Sequence, residues 1–103
     1  MRSLKVFCGG KFAGTIEERP EGFVFAYDAS YLERHGEPIS FTMPTSTHCY
    51  FSEFLFPCFT NLLPEGTNRR TICRLLHIDE NDFFGMLISF AGRDFIGNLS
   101  FEK

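Results

Sequence analysis

Leu4-Lys5-Val6-Phe7-Cys8-Gly9-Gly10-Lys11-Phe12-Ala13-Gly14-Thr15-Ile16-Glu17 is the stretch on which the reading of the fold turns. Leu4, Val6 and Cys8 alternate with Lys5 and Phe7, the two-residue period of a half-buried strand. Gly9-Gly10 supplies two residues free to take positive φ, which a tight reversal needs, and Phe12 to Glu17 alternates again on the return. The chain therefore opens with a β-hairpin. Arg19-Pro20-Glu21-Gly22 has the composition of a second turn, and Phe23-Val24-Phe25-Ala26-Tyr27 reads as a third strand, apolar on both faces and so central or covered.

Further along, Asp28 is placed to cap a short helix through Arg34, with Gly36 as its stop. Pro38 forces extension, and Ile39-Ser40-Phe41-Thr42-Met43 reads as a fourth strand ending at Pro44, before the polar loop Thr45 to His48. Ser52 is the expected cap of a helix carrying Leu55, Phe56, Phe59, Leu62 and Leu63 at i, i+3, i+4 spacing. Pro57 sits inside it, so the first turn is expected to be bent, or the helix to begin nearer Pro57. Leu63 should end it, because a residue before proline is driven toward extended backbone.

A second helix is expected from Thr67 to His77, with Ile72, Leu75 and Leu76 inward and the arginines outward. Asp79 is the expected cap of a third, Asp82 its capping-box acid, and Phe83, Met86, Leu87 and Phe90 its apolar stripe before Gly92. Phe95, Gly97, Leu99 and Phe101 then alternate as a last strand, which must rejoin the early sheet to bury its apolar face. The sum is an α+β domain spanning residues 1–103. It has a five-stranded antiparallel sheet, curled or barrel-like, a short helix after the third strand, and three helices between the fourth and fifth strands.

At 103 residues with 44% hydrophobic and 22% charged side chains, the chain is one folded domain with enough apolar content for a core. There are fourteen Phe and no Trp; many of the Phe are expected in that core, with a few left over for an interface. A net charge of −3 lacks the clustered Lys and Arg of a nucleic-acid footprint, and Arg69, Arg70 and Arg74 read as a solvated helical face. No apolar run approaches membrane-spanning length and no signal-peptide core follows Met1, so a cytoplasmic protein with no membrane partner is expected.

Catalytic and metal motifs are weak. Cys8, Cys49, Cys58 and Cys73 fall in apolar segments without a C-x-x-C pair and read as reduced, buried thiols. Cys73-x-x-x-His77 and the adjacent His48-Cys49 are the available metal or nucleophile pairs, but neither closes a four-ligand pattern nor comes with an oxyanion turn. Gly92-Arg93-Asp94-Phe95-Ile96-Gly97 follows a helix and precedes a strand, the reverse of a phosphate loop. The last helix, acidic and Phe-rich, lacks the side chains that read base edges. No cofactor, no metal, no catalytic residue and no direct nucleic-acid contact are expected.

What stands out instead is Asn61-Leu62-Leu63-Pro64-Glu65-Gly66. Two leucines ending a buried helix run into a tight polar turn before the next helix starts, which makes a rigid exposed elbow. Pro64, Glu65, Gly66, Thr67, Asn68, Arg69 and Arg70 are the residues expected to meet a partner. This elbow, the glycine-turn hairpin from Val6 to Gly14, the segment Ile39 to Pro44 and Gly92-Arg93-Asp94-Phe95-Ile96-Gly97-Asn98-Leu99 occur in an order that resembles the N-terminal domain of HipA-type serine/threonine kinases.

The chain stops at Lys103, where that family's N-terminal domain passes into the ATP-binding core, so the resemblance implies the domain without the enzyme. Free-standing versions resemble HipS, the small antitoxin of three-component HipBST toxin–antitoxin systems. The resemblance then implies inhibition in trans of a HipT-type, HipA-like kinase, with a helix-turn-helix HipB-like protein in the same complex. It also implies that the loop after Leu62-Leu63-Pro64 faces the kinase active site. With no tryptophan to enter that site, Glu65, the loop backbone or the following arginines would make the contact. The alternative is a non-catalytic regulatory or folding subunit of a split HipA-like kinase.

Overall fold

The structure, a computed structural model, describes residues 2–63, 65–89, 91 and 99–103. Its strands are β1 (Ser3–Cys8), β2 (Lys11–Arg19), β3 (Gly22–Tyr27), β4 (Cys49–Ser52) and β5 (Leu99–Glu102). Its helices are α1 (Ala29–Glu33), α2 (Pro57–Thr60), α3 (Gly66–Leu76) and α4 (Phe83–Ser89). The five strands form one antiparallel sheet in the order β4-β3-β2-β1-β5. The α+β class, the strand number, the helix after the third strand and the three helices between the fourth and fifth are as expected. The sheet is open, with β4 and β5 at its edges, and so does not close into a barrel.

The hairpin forms where its glycines permit it. Gly9 and Gly10 sit at φ +59° and +80°, the left-handed pair that matches the twist of the two strands they join. A register shift between Val6 and Phe7 places an extra residue, Ala13, in β2, so both Ala13 and Gly14 are buried. Across the sheet Leu4, Ile16, Phe25 and Tyr50 stand opposite one another, and the next row holds Phe101, Val6, Gly14 and Tyr27. The helices cover this face. Phe59 of α2 lies between Phe25 of β3 and Phe101 of β5, with ring centroids 6.1 and 5.7 Å away, and so joins the sheet's last strand to its third. Burying one such ring contributes about 2–3 kcal/mol, and Phe23 with Phe84 repeats the arrangement under α4 at 5.6 Å.

The expected fourth strand is not one. Residues 39–43 fold back on themselves, with a single bridge between Ser40 and Met43, and the place beside β3 belongs to Cys49–Ser52. The cause lies in the tyrosines. The Ile39 amide donates to the Tyr27 hydroxyl at 3.0 Å, that hydroxyl donates to the Met43 carbonyl, and Tyr31 donates to the Glu37 carbonyl. Side chains thus satisfy the backbone groups that a strand would have offered to a neighbour. Phe41, fully exposed, breaks the apolar alternation.

Three helix ends also differ from expectation. Asp28 caps α1 by accepting from the Tyr31 amide, but the left-handed residue after the helix is His35 instead of Gly36. Ser52 ends β4 instead of capping a helix; α2 starts at Pro57, the alternative start expected, whose missing amide proton costs nothing at a first helical position, and it ends at Thr60, short of the expected Leu63. In α4 the capping role falls to Asp82, which accepts from the Gly85 amide at 3.1 Å, while Asp79 holds the Asn81 amide in the preceding turn. Phe90 and residues 92–98, including the expected glycine junction and the first half of the last strand, lie outside the described residues.

Candidate functional site

The elbow is built from both sides. After α2 the Leu62 amide donates to the Phe59 carbonyl and the Leu63 amide to that of Thr60, each at 3.1 Å, which winds the chain tightly and buries Leu63. Pro64 lies outside the described residues. Glu65 is extended at φ −123° and ψ 160°, and its side chain makes no capping hydrogen bond. Gly66 then turns left-handed at φ +59°, with no atom within 4 Å of where a Cβ would stand. The chain enters α3 directly from that reversal.

Of the seven residues expected to meet a partner, Glu65, Gly66, Thr67, Asn68 and Arg70 are exposed. All five lie at or just before the first turn and a half of α3. Arg69 differs. It is half-buried, with its guanidinium 5.0 Å from the centre of the Phe83 ring, so it pins α3 to α4. Ile72 and Cys73 complete the inner stripe of the helix, whereas Leu75 and Leu76 point away from the core, Leu75 with 72% of its surface accessible. The expected inward leucines are thus replaced by an arginine-led stripe at positions 69, 72 and 73. Arg74 remains in the last turn, where its charge complements the helix dipole.

Sequence reasoning missed what lies beside the elbow. A groove of about 570 Å³ runs between the segment after β4, the elbow and the start of α4. Its walls include Phe54, Phe83 and Phe84, and its rim includes Glu53, Glu65 and Asp82. Arg2 joins two of the groove's lining acids, Glu18 and Asp82. Its Nε and Nη2 reach Glu18 at 2.8 and 2.6 Å, its Nη1 and Nη2 reach Asp82 at 3.0 and 2.9 Å, and its guanidinium lies 5.5 Å from the Phe84 ring centre. Hydrogen bonds from Arg2 hold the Glu18 and Asp82 carboxyls below the usual carboxylate range. The signal was weak in the sequence because Arg2 and Asp82 are 80 positions apart.

The residues considered for metal or nucleophile chemistry do not converge. Cys73 is buried, His77 caps α3 in the left-handed conformation, and His48 and Cys49 are exposed at the start of β4. Cys49 therefore departs from the expectation of four buried thiols. Burial pushes the Cys58 thiol up to about 11, which keeps it protonated near neutrality. Among the described residues no three His, Cys, Asp or Glu side chains gather as a metal site, and no helix is long and apolar enough to cross a membrane.

Residues 4–102 match the HipA N-terminal domain family, and the chain belongs to that family. A protein of Haemophilus influenzae without an assigned function is 34% identical over 103 residues, which cover all of this chain and 93% of that relative. Among solved structures, the N-terminal domain of a HipA toxin superposes with a TM-score of 0.77 at 33% identity, over 100% of this chain and 94% of that one. The Shewanella oneidensis HipA in a complex with HipB and operator DNA shares the fold at a TM-score of 0.73 and 20% identity, this chain covering 23% of it.

Proposed function

We propose that this protein is a HipS-like antitoxin, which binds a HipT-type, HipA-like serine/threonine kinase in trans and inhibits it within a three-component toxin–antitoxin system. The observation that carries the reading is the elbow: on a HipA N-terminal fold, five neighbouring residues from Glu65 to Arg70 are exposed on a turn fixed by a left-handed glycine and a helix start. Such a rigid, polar projection meets a partner with little loss of conformational freedom. The family match is to the HipA N-terminal domain, and the reading assigns the protein a blocking role without catalysis of its own. A HipB-like helix-turn-helix protein completes the assembly and supplies its DNA contact.

The test is co-expression with a HipA-like kinase from the same operon. The wild-type chain is expected to co-purify with the kinase and to suppress its autophosphorylation. Glu65→Lys with Asn68→Trp, both at exposed positions, should weaken inhibition by about tenfold or more while thermal stability stays unchanged. Binding through these polar groups should also weaken as salt rises. Stimulation of the kinase would overturn the antitoxin reading in favour of a regulatory subunit of a split enzyme, and absence of any complex would overturn both.

A further inference from the structure

We infer that the groove beside the elbow receives an arginine side chain of the protein partner, an inference that rests on the elbow being a partner surface. The groove is already an environment for guanidinium groups. Two of its phenyl rings hold one each from within the chain, Phe84 that of Arg2 at 5.5 Å and Phe83 that of Arg69 at 5.0 Å. A third ring, Phe54, is 77% exposed and has no ring or cation contact among the described residues. Beside it the charges are unbalanced. Arg2 occupies the carboxylates of Glu18 and Asp82, whereas Glu53 and Glu65 enter no ion pair among the described residues.

Four acids line the groove against one arginine of its own lining, Arg69, and Arg2, so an exposed aromatic face beside two acids outside any ion pair among the described residues calls for a flat cation. Arginine suits both kinds of group, since its plane stacks on a ring while its edge donates to a carboxylate. Lysine, a compact and strongly hydrated point charge, loses the stacking. A leucine of similar reach would strip water from Glu53 and Glu65 without replacing their hydrogen bonds, which is unfavourable. A metal ion is a poorer occupant, because no three acids gather here as ligands.

The probe is the capped tripeptide acetyl-Gly-Arg-Gly-amide, titrated into the full chain by NMR, with the citrulline tripeptide as an uncharged control of the same shape. Shifts are expected at the Phe54 and Phe83 rings and the Glu65 amide, with the arginine peptide at least about tenfold tighter than citrulline. The difference should vanish in Phe54→Ala with Glu53→Gln, whose exposed positions leave the fold intact by circular dichroism. Equal affinity for the two peptides, or shifts confined to other surfaces, would overturn the inference. That result with kinase inhibition intact would leave the elbow reading standing. Peptide binding by a chain that never engages the kinase would overturn the kinase as the arginine's source and leave only the groove's preference for a guanidinium.

Discussion

Arg2 divides one guanidinium between two carboxylates that belong to different parts of the fold, Glu18 of β2 and Asp82 at the start of α4. Because Asp82 also accepts from the Gly85 amide, the ion pair and the helix cap share a side chain. All three groups are about one-third exposed, so solvent screening discounts the pair, and Arg2→Met should lower stability by about 1–2 kcal/mol near pH 7. The pH dependence has a definite sign. Both carboxyls are held below their ordinary range, so their contribution is complete above the unfolded values near 4 and fades as pH falls through the folded ones. Urea unfolding near pH 7 and near pH 3 should therefore show a smaller acid loss for Arg2→Met than for wild type; equal losses would mean that the clamp is not the acid-sensitive contact.

Helix boundaries in this chain are set by left-handed residues whose costs differ. Gly66 at φ +59° leads into α3 without steric penalty, but His77 at φ +56° ends it and His35 at +55° follows α1. A side chain in that conformation costs about 1–2 kcal/mol, so His77→Gly should gain about 0.5–1 kcal/mol, and Gly66→Ala should lose about 1 kcal/mol. Since nothing lies within 4 Å of a Cβ at Gly66, that loss would be conformational and not a clash. Thermal melts of the two variants should move in opposite directions, and a destabilised His77→Gly would show that the imidazole makes a contact worth more than the strain. The same elements show where sequence reading succeeds. Gly9-Gly10, Asp28 and the alternation of β1 act locally, so their outcome is visible in a few residues. Residues 39–43 read as a strand because the group that claims their backbone, the Tyr27 hydroxyl, lies more than ten positions upstream, outside the local pattern. The elbow was legible because proline and glycine punctuate it, whereas the groove required Arg2, Phe54 and Phe83 to be brought together by tertiary packing.

At the scale of the molecule, strand order matters more than strand number. β1 lies between β2 and β5, and β5 is a four-residue edge strand whose Phe101 closes the core against Phe59. Lys5 stands opposite Glu102, so the outgoing end of β5 and the incoming end of β1 lie at the same end of the antiparallel pair. Fusing a degradation tag after Lys103 or before Arg2 and following breakdown by an ATP-dependent unfoldase–protease should show faster loss from the C-terminal tag. Equal rates would mean that a step other than strand removal limits unfolding. The reason is mechanical. Force applied through residue 103 peels β5 from β1 one hydrogen bond at a time and exposes the core with the first few residues displaced, whereas force through residue 2 must dislodge a strand bonded on both sides. Resistance to dismantling is thus expected to be directional, lower when force enters through β5 than through β1.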